Sequence, residues 1–307
     1  TVLALGACGI DGSPTVDSDD PIGAADSLSD GDGPQYFVGA GDIAACGPTG
    51  LIDGVEPHEL TAQLVETYPA DTPVFALGDN AYRDGTIAEY QNCYDPAWGR
   101  FKERTYPAPG NHEYNTDDAD GYYDYFGDRA GDPDKGYYSF DMDNWHIVVL
   151  NSECPESWFG MCTDHSPQLW WLENDLAASD KPCTMALMHH PRYSSGSHGD
   201  TGTMRYFYEA LVNHGAELML AGHEHNYERF KPMDSEGFVD EEFGVTQFVV
   251  GTGGAPLRAM EDERDGSEFF YKDNYGILEL ALHDDRYDFK FVTIDGSVVD
   301  SGTGYCR

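Results

Sequence analysis

The sequence predicts an α/β fold, a sandwich of two mixed β-sheets flanked by α-helices. From Pro34 onward, short apolar runs of strand length alternate with segments that have helical spacing. Five of the runs end at small or polar residues, as strands do where they meet loops. Nearer the C-terminus, apolar runs at 246–250, 276–282 and 287–294 read as strands of a second sheet. These patterns favour one large layered domain over two.

The boundaries of the elements follow from local signals. Ser166-Pro167 is a good helix start, with a capping serine and a proline at the first position, and this helix is predicted to run to about Ala178. Its two tryptophans, Trp170 and Trp171, are predicted to be core residues. The other predicted elements are strands at 36–40, 74–77, 106–109, 184–188 and 217–221, helices at 59–68, 87–94 and 203–214, a hairpin of 137–141 with 146–150, and a long surface excursion over 116–135.

The charge of the chain limits its partners. Fifty-six acidic residues stand against 17 basic ones, giving a net charge of -39. Nucleic acid and anionic membrane surfaces repel such a protein, so we expect no nucleic-acid binding. An anionic substrate needs local cations, and metal ions are natural candidates. The excess of Asp and the scarcity of Lys indicate a halophilic or marine source; the alternative is simply a well-solvated acidic surface.

The N-terminus differs in composition from the rest of the chain. Residues 1–8 resemble the end of a bacterial lipoprotein signal, in which the cysteine, here Cys8, receives the lipid. Residues 9–33 are rich in Asp, Ser, Gly and Pro, as disordered tethers are. We therefore predict a lipoprotein-type N-terminus and acidic tether over 1–33 and a globular domain over 34–307. This arrangement predicts a place outside the cytoplasm, secreted or lipid-anchored at the cell surface.

The cysteines indicate an oxidising compartment. The chain has seven, and if one carries the lipid, an even number remains for disulfides. No CxxC pair occurs, so we do not expect a thiolate zinc site. Sequence leaves the connectivity open, with the short loop between Cys154 and Cys162 the most favourable local pair. The predicted disulfides are Cys154–Cys162, Cys46–Cys93 and Cys183–Cys306.

Metal-competent side chains follow the predicted strands. Carboxylate, phenolate, carboxamide and imidazole groups are ligands for hard divalent and trivalent ions. Any one of them has an ordinary alternative: Asn111 as a turn residue, His189 and His223 as core histidines. Their repeated placement at strand ends favours a common site, with enough ligands for two ions about 3.5 to 4 Å apart that share a carboxylate. The candidate ligands are Asp42, Asp79, Tyr82, Asn111, His189, His223 and His225.

The segments that carry these residues form a recognisable set. GDIAAC, GDNAY, GNHEY, HHPRY and GHEHNYER resemble the five blocks of the calcineurin-like metallophosphoesterases, and within them those of the purple acid phosphatases. Many relatives have Asp-x-His in the first block, whereas here Ala44 stands at the histidine position and Tyr82 replaces the missing ligand. The resemblance extends from about Tyr36 to the C-terminus. It implies the metallophosphoesterase fold, a four-layer sandwich of two mixed sheets between helices, and thus a catalytic domain over 34–307.

The resemblance also implies how the ions are held. Asp79 bridges two ions, one of them typically ferric iron and the other divalent, such as zinc, iron or manganese. A tyrosinate ligand gives coloured members their charge-transfer band, so Tyr82 predicts a purple protein when iron is bound. The implied iron ligands are Asp42, Asp79, Tyr82 and His225, and those of the divalent ion are Asp79, Asn111, His189 and His223.

Two further histidines are implied as catalytic residues. His112, next to Asn111, matches the family's histidine that binds the phosphoryl group and protonates the leaving oxygen, a role that histidine often takes. His198 fits a second histidine that contacts the substrate; the alternative is that it belongs to an ordinary flexible loop.

The predicted function is therefore hydrolysis of small phosphate monoesters, by a metal-bound hydroxide that attacks phosphorus with His112 as the general acid. One alternative keeps the site and changes the substrate, making the protein a phosphodiesterase or nucleotidase. A second, from another class, is a non-catalytic surface lipoprotein with a metal-stabilised fold. Hydrolysis of a monoester and of a diester separates these alternatives.

Overall fold

The computed structural model describes residue 1, residues 33–45, residue 47, residues 50–153 and residues 162–307. The predictions that concern Cys8, nearly all of the acidic tether, Cys46 and Cys154 lie outside the described residues. Within the described ranges, no helix combines the length and the apolar character that crossing a membrane requires.

The first sheet combines three parallel strands from the N-terminal part of the domain with three antiparallel strands from the C-terminal part. Its parallel part is β1 (Gln35–Ala40), β3 (Val74–Leu77) and β5 (Thr105–Ala108), and the remaining strands continue it in antiparallel pairs. The order across the sheet is β15 (Val298–Tyr305), β14 (Arg286–Thr293), β13 (Gly276–Leu282), β1 (Gln35–Ala40), β3 (Val74–Leu77) and β5 (Thr105–Ala108).

The second sheet is built around four parallel strands, with antiparallel strands at both sides. The parallel strands are β7 (Trp145–Val149), β8 (Cys183–Leu187), β9 (Leu218–Ala221) and β11 (Thr246–Val250). A separate short parallel pair, β2 (Ala44–Ala45) and β4 (Ala81–Tyr82), joins the loops that follow β1 and β3. The order across the second sheet is β12 (Ser267–Tyr271), β10 (Tyr227–Phe230), β11 (Thr246–Val250), β9 (Leu218–Ala221), β8 (Cys183–Leu187), β7 (Trp145–Val149) and β6 (Tyr138–Met142).

The four parallel strands of the second sheet are buried on both faces, as expected for parallel strands. Alternate residues of β8 point to opposite faces: Met185 and Leu187 join the core that also contains residues of the first sheet, whereas Ala186 packs with the helices outside. The two sheets therefore enclose one core, and the predicted sandwich of two mixed sheets and helices is confirmed. The helices are α1 (Pro57–Val65), α2 (Ile87–Glu89), α3 (Asp120–Phe126), α4 (Pro167–Ala178) and α5 (Arg205–Asn213).

Helix α4 begins and ends where the sequence predicts. The Ser166 hydroxyl accepts a hydrogen bond from the Leu169 backbone N–H at 3.1 Å, the expected N-cap. Leu169, Leu172 and Leu176 form its buried face. Trp170 is 70% exposed, so its predicted place in the core is wrong, because one residue advances a helix by about 100° and turns Trp170 away from the leucines.

Two other predictions about elements are wrong. The C-terminal runs do not all belong to the second sheet: β11 does and pairs with β9, but β13 and β14 extend the first sheet. An apolar run identifies a strand but not its neighbour, which depends on distant residues. The predicted surface excursion over 116–135 contains α3, which buries Tyr122, Tyr125 and Phe126 in the core.

The disulfide between Cys183 and Cys306 is present, with the two Cα atoms 5.2 Å apart, which confirms that predicted pair. It joins the start of β8 to the end of the chain. Cys93 and Cys162 are each disulfide-bonded as well, but their predicted partners lie outside the described residues.

His146 joins the edge of the second sheet to helix α4. Its Nδ1 lies 2.9 Å from Asp141 Oδ1 on β6, and its Nε2 lies 2.9 Å from Asp175 Oδ2 on α4. The hydrogen bond to Asp175 raises the pKa of His146 despite partial burial, and Asp141 adds to the effect. Because the folded-state pKa exceeds the unfolded value, the stabilisation is fully present below the unfolded pKa and is lost as pH rises through the folded one.

We expect His146→Gln to lower the free energy of unfolding by about 1 to 3 kcal/mol near pH 6, since hydrogen bonds to a charged group are lost. The loss should be smaller near pH 9, because the charge-dependent part of the stabilisation falls as pH rises through the folded-state pKa. Denaturant unfolding at both pH values measures the difference. His165→Gln is the control, because the His165 side chain is 91% exposed. If His146→Gln lowered the free energy of unfolding equally at both pH values, a charged His146 between Asp141 and Asp175 would be contradicted.

Candidate metal centre

The candidate ligands come from the carboxyl ends of parallel strands in both sheets. In the first sheet, Asp42 follows β1, Asp79 follows β3 and Asn111 follows β5; in the second, His189 follows β8 and His223 follows β9. Ligands collect at this edge in open α/β sheets because the chain turns there into loops. Here the edges of two sheets meet, so that their loops face a common volume. Tyr82, in β4, and His225, just before β10, complete the set.

One group of donor atoms surrounds the phenol oxygen of Tyr82. This oxygen lies 2.8 Å from Asp42 Oδ1, 3.0 Å from Asp79 Oδ2 and 3.2 Å from His225 Nε2. His225 Nε2 is in turn 3.3 Å from Asp42 Oδ1. These atoms are the predicted ligands of the ferric ion, and the structure brings them together.

A second group lies on the other side of Asp79. The Asn111 Oδ1 atom is 3.1 Å from His189 Nε2 and 3.0 Å from His223 Nδ1, and these two imidazole nitrogens are 3.2 Å apart. His189 Nε2 also lies 3.4 Å from Asp79 Oδ1. Asp79 therefore presents one carboxylate oxygen to each group of donors.

The spacing of these atoms fits metal coordination. Ligand atoms bound at about 2.1 Å to one ion lie about 3 to 3.4 Å from each other in tetrahedral or octahedral geometry, and the distances within both groups are of this size. Oxygen and imidazole donors also match the ligand preferences of iron, zinc and manganese. The residues thus fit two cations that share Asp79.

The electrostatics of the centre favour cations. Burial opposes charge on His189, yet the carboxylates of Asp79 and Asp42 raise its pKa to about 10. Burial raises the pKa of Tyr82, and Asp42 and Asp79 raise it further, so a phenolate here needs a nearby cation. Burial and the adjacent His189 lower the pKa of His223, which keeps its imidazole neutral and able to act as a ligand.

The backbone is specialised where it delivers these groups. The backbone φ angles are positive at Asp42 (58°), Asp79 (50°) and His223 (71°). Residues other than glycine rarely adopt positive φ angles. Such conformations concentrate at functional sites. Gly78 combines a φ of 79° with close packing, because a Cβ atom there would lie 2.6 Å from His189 Nδ1. A Cβ at Gly110 would lie 2.3 Å from Asp79 Oδ1.

Backbone carbonyl groups orient two of the imidazoles. His189 Nδ1 is 2.7 Å from the Leu77 carbonyl oxygen, and His225 Nδ1 is 2.9 Å from that of Pro256. Donation from Nδ1 to a carbonyl fixes the tautomer and leaves Nε2 with a free lone pair, as in many metal sites. In both residues, Nε2 is the nitrogen that faces the other donors.

Glu113 has a role that the sequence reasoning missed. Its carboxylate is completely buried and accepts hydrogen bonds from the backbone N–H groups of Asp79 at 2.9 Å, Asn80 at 2.9 Å and Gly110 at 2.7 Å. The Tyr90 hydroxyl donates a further bond at 3.0 Å. One side chain therefore joins the loop that carries the shared ligand to the loop that carries Asn111. The position of this acidic residue inside the GNHEY block was the one sequence feature that could have indicated its role.

We expect Glu113→Gln to destabilise the fold by about 2 to 4 kcal/mol, because the amide NH2 group faces buried N–H donors and leaves them without acceptors. The metal content of the purified protein should also fall, since the two loops lose their connection. Thermal unfolding and elemental analysis measure both effects. Tyr90→Phe is the matched control, because it removes one hydrogen bond and keeps the carboxylate. Glu113→Gln with the stability and metal content of Tyr90→Phe would contradict this role.

The structure places His112 directly beside the shared carboxylate. Its backbone N–H donates to Asp79 Oδ1 at 2.9 Å, and its Nε2 lies 3.7 Å from Asp79 Oδ2. The ring packs against the ring of Tyr82, with centroids 4.6 Å apart, and Nδ1 hydrogen-bonds the carbonyl of Arg83. The side chain is 29% exposed, so solvent and a substrate can reach it.

His198 lies next to the second group of donors. Its ring centroid is 4.4 Å from that of His223. Its backbone N–H donates to Glu224, and its Nδ1 is 3.1 Å from Glu224 Oε1. Glu224 is completely buried, so it supports His198 from below while 43% of the His198 side chain stays exposed. His190 instead contacts the Ser152 hydroxyl through Nδ1 at 3.0 Å, outside both donor groups.

Known proteins that resemble this chain include phosphatases, in agreement with the donor set. A family model described as calcineurin-like phosphoesterase matches residues 26–227. Purple acid phosphatase 21 of Arabidopsis thaliana is 32% identical over 160 residues, which cover 49% of this chain and 35% of that protein. Phosphoenolpyruvate phosphatase of Allium cepa is 31% identical over 251 residues, which cover 70% of this chain and 50% of that protein.

A solved structure shows the same fold. A purple acid phosphatase from yellow lupin (Lupinus luteus) seeds superimposes with a TM-score of 0.71 at 21% identity, covering 89% of this chain and 54% of that one. The chain spans about half or less of the length of the curated relatives it matches. The family model covers about two thirds of the chain and contains all the candidate ligands. The chain therefore belongs to the calcineurin-like phosphoesterase family, within which it is similar to the purple acid phosphatases.

Proposed function

We propose that this chain is a phosphohydrolase that uses two metal ions to cleave phosphate monoesters. The observation that carries the proposal is the position of Asp79, which offers one oxygen to each of two groups of donors. A pair of cations held around a shared carboxylate is typical of two-metal phosphatases. Similarity to purple acid phosphatases supports the same reaction class.

The ions, when bound, would neutralise charge on the phosphoryl oxygens and make water a strong nucleophile. The chain itself supplies the proton that the leaving oxygen needs. Donation from His112 Nδ1 to the Arg83 carbonyl turns Nε2 toward the centre. We assign to Nε2 of the imidazolium the proton that passes to the leaving oxygen as its bond to phosphorus breaks. The exposed ring of His198, supported by Glu224, would contact the phosphoryl group from the other side.

We further propose ferric iron at the donors around Tyr82 and a divalent ion, zinc, iron or manganese, at those around Asn111. A phenolate is a hard anionic ligand that suits a trivalent ion. Tyr82→Phe should therefore abolish the visible absorption band of the iron-loaded protein, whereas Tyr90→Phe, which changes a buried tyrosine outside both donor groups, should leave it intact. A band that survives in Tyr82→Phe would exclude Tyr82 as the source of colour.

We also propose that the protein prefers phosphate monoesters to phosphate diesters. A phosphoenolpyruvate phosphatase is among the relatives, and the substrate in its name is a phosphate monoester. The test is hydrolysis of 4-nitrophenyl phosphate and bis(4-nitrophenyl) phosphate by protein with measured metal content. We expect kcat/KM to favour the monoester by at least about tenfold, a difference of about 1.4 kcal/mol in activation free energy.

The same assay distinguishes the proposed function from the two alternative functions. Preference for the diester would assign the site to a phosphodiesterase or nucleotidase. Two bound ions without hydrolysis of either compound would instead indicate a non-catalytic surface lipoprotein. We also propose that the protein works outside the cytoplasm, secreted or anchored at the cell surface; the disulfide between Cys183 and Cys306 supports an oxidising compartment.

A further inference from the structure

We propose that Arg258 selects substrates whose leaving group carries a second anionic group, either a carboxylate or another phosphate. The inference rests on the proposed function, because it concerns the part of the substrate that is not transferred. It assigns a specificity-determining role to a residue outside the ligand and histidine motifs.

The backbone holds Arg258 at the edge of the metal centre. Its N–H donates to the His225 carbonyl at 2.8 Å, and it lies two residues after Pro256, whose carbonyl orients the His225 ring. The guanidinium Nη1 lies 3.1 Å from Nδ1 and 3.3 Å from Nε2 of His198. The His198 ring lies against the His223 ring. His198 therefore lies between the Arg258 guanidinium and the candidate ligand His223.

Within the described ranges, most N–H donors of the Arg258 guanidinium have no partner. Among the described residues, it forms no ion pair, and its hydrogen bonds all come from Nη1. The Glu224 carboxylate beside His198 is completely buried, and its Oε1 accepts a hydrogen bond from the His198 backbone N–H and lies 3.1 Å from His198 Nδ1. A guanidinium has five N–H donors in a planar fork that matches carboxylate and phosphate oxygens. Donors on Nε and Nη2 therefore remain available to an anion.

The charge of the whole protein gives this position its importance. With 56 acidic and 17 basic residues, the chain repels an anionic substrate at long range. Two other arginines are paired with acids, Arg205 with Glu236 at 3.0 Å and Arg264 with Asp200 at 3.0 Å. Arg258 lies beside the centre and has no acidic partner among the residues that the structure describes, so it would provide local attraction where a leaving group emerges. Metal ions, when bound, would hold the transferred phosphoryl group, which leaves the Arg258 guanidinium to bind a second anionic group of the substrate.

The experiment compares 3-carboxyphenyl phosphate with 3-carbamoylphenyl phosphate, which have nearly the same shape but differ in charge. The measured quantity is the ratio of their kcat/KM values in wild type and in Arg258→Gln. We expect the substitution to lower this ratio by about tenfold or more, because a hydrogen-bonded charge pair is lost. Comparing the same ratio between proteins cancels the intrinsic reactivity of the two esters. Arg258→Lys should retain part of the preference.

Arg205→Gln is the matched control, because Arg205 is an exposed arginine already paired with an acid. It should leave the ratio unchanged. A purely structural role for Arg258 would change both substrates alike and keep the wild-type ratio, which would overturn the inference while the phosphatase proposal stands. No turnover of either compound by metal-loaded wild type would overturn both.

Discussion

Asp79→Asn is expected to leave the protein folded while removing both metal ions and hydrolysis. The substitution preserves shape but replaces the one carboxylate that faces both donor groups with a neutral carboxamide. Metal ions contribute several kcal/mol to a phosphoryl-transfer transition state. A loss of about 4 kcal/mol corresponds to about a thousandfold decrease in rate, and we expect at least this decrease in kcat/KM.

The measurement pairs elemental analysis with hydrolysis of 4-nitrophenyl phosphate on the same preparations, with thermal unfolding to verify the fold. Asp84→Asn is the matched control, since Asp84 is an exposed acid just after β4 and belongs to neither donor group. It should keep two ions and full turnover. If Asp79→Asn retained two ions and near-normal hydrolysis, the shared role of Asp79 would be wrong.

His112→Gln is expected to lower kcat by about 10² to 10⁴, the usual contribution of a positioned general acid. The two metal ions should remain, because the His112 ring lies beside the donors, with Nε2 3.7 Å from the nearer Asp79 oxygen. The decrease should be largest for phenyl phosphate and smallest for 4-nitrophenyl phosphate, because nitrophenolate leaves without help from an acid.

This dependence on the leaving group distinguishes a proton donor from a residue that only binds. His198→Gln is the comparison, because His198 also adjoins the donors but lies on the side of His223. We expect it to raise KM by a similar factor for both esters. Equal losses of kcat for the two esters in His112→Gln would assign His112 to binding and leave the general acid to another group.

The ligands could be predicted from the sequence because their signals are local. A run such as Val74–Leu77 identifies its own strand, and the Gly-Asp that follows marks the loop at its end. Parallel strands of one sheet have their carboxyl ends at the same edge, so these loops were expected to lie close together. The same reasoning placed Asn111 and His223 at strand ends, and the structure brings both next to His189.

The supporting residues could not be predicted in this way because their partners are distant. Glu113 connects backbone groups that lie about thirty residues apart, so its role depends on the packing of two loops. Arg258 stands in a loop without a recognisable pattern, and its importance comes from having no acidic partner among the described residues. Pairing of β13 with β1 likewise joins opposite ends of the domain. Each of these depends on tertiary contacts that no short segment of sequence encodes.

Anomalous X-ray diffraction from crystals of the metal-loaded protein, measured at the iron and zinc absorption edges, tests the central claim most directly. We expect two peaks on either side of the Asp79 carboxylate, one within ligand distance of Tyr82 and His225 and the other within ligand distance of Asn111 and His223. An iron signal should dominate the first peak. A single peak, or peaks away from these donors, would contradict a centre of two ions shared by Asp79.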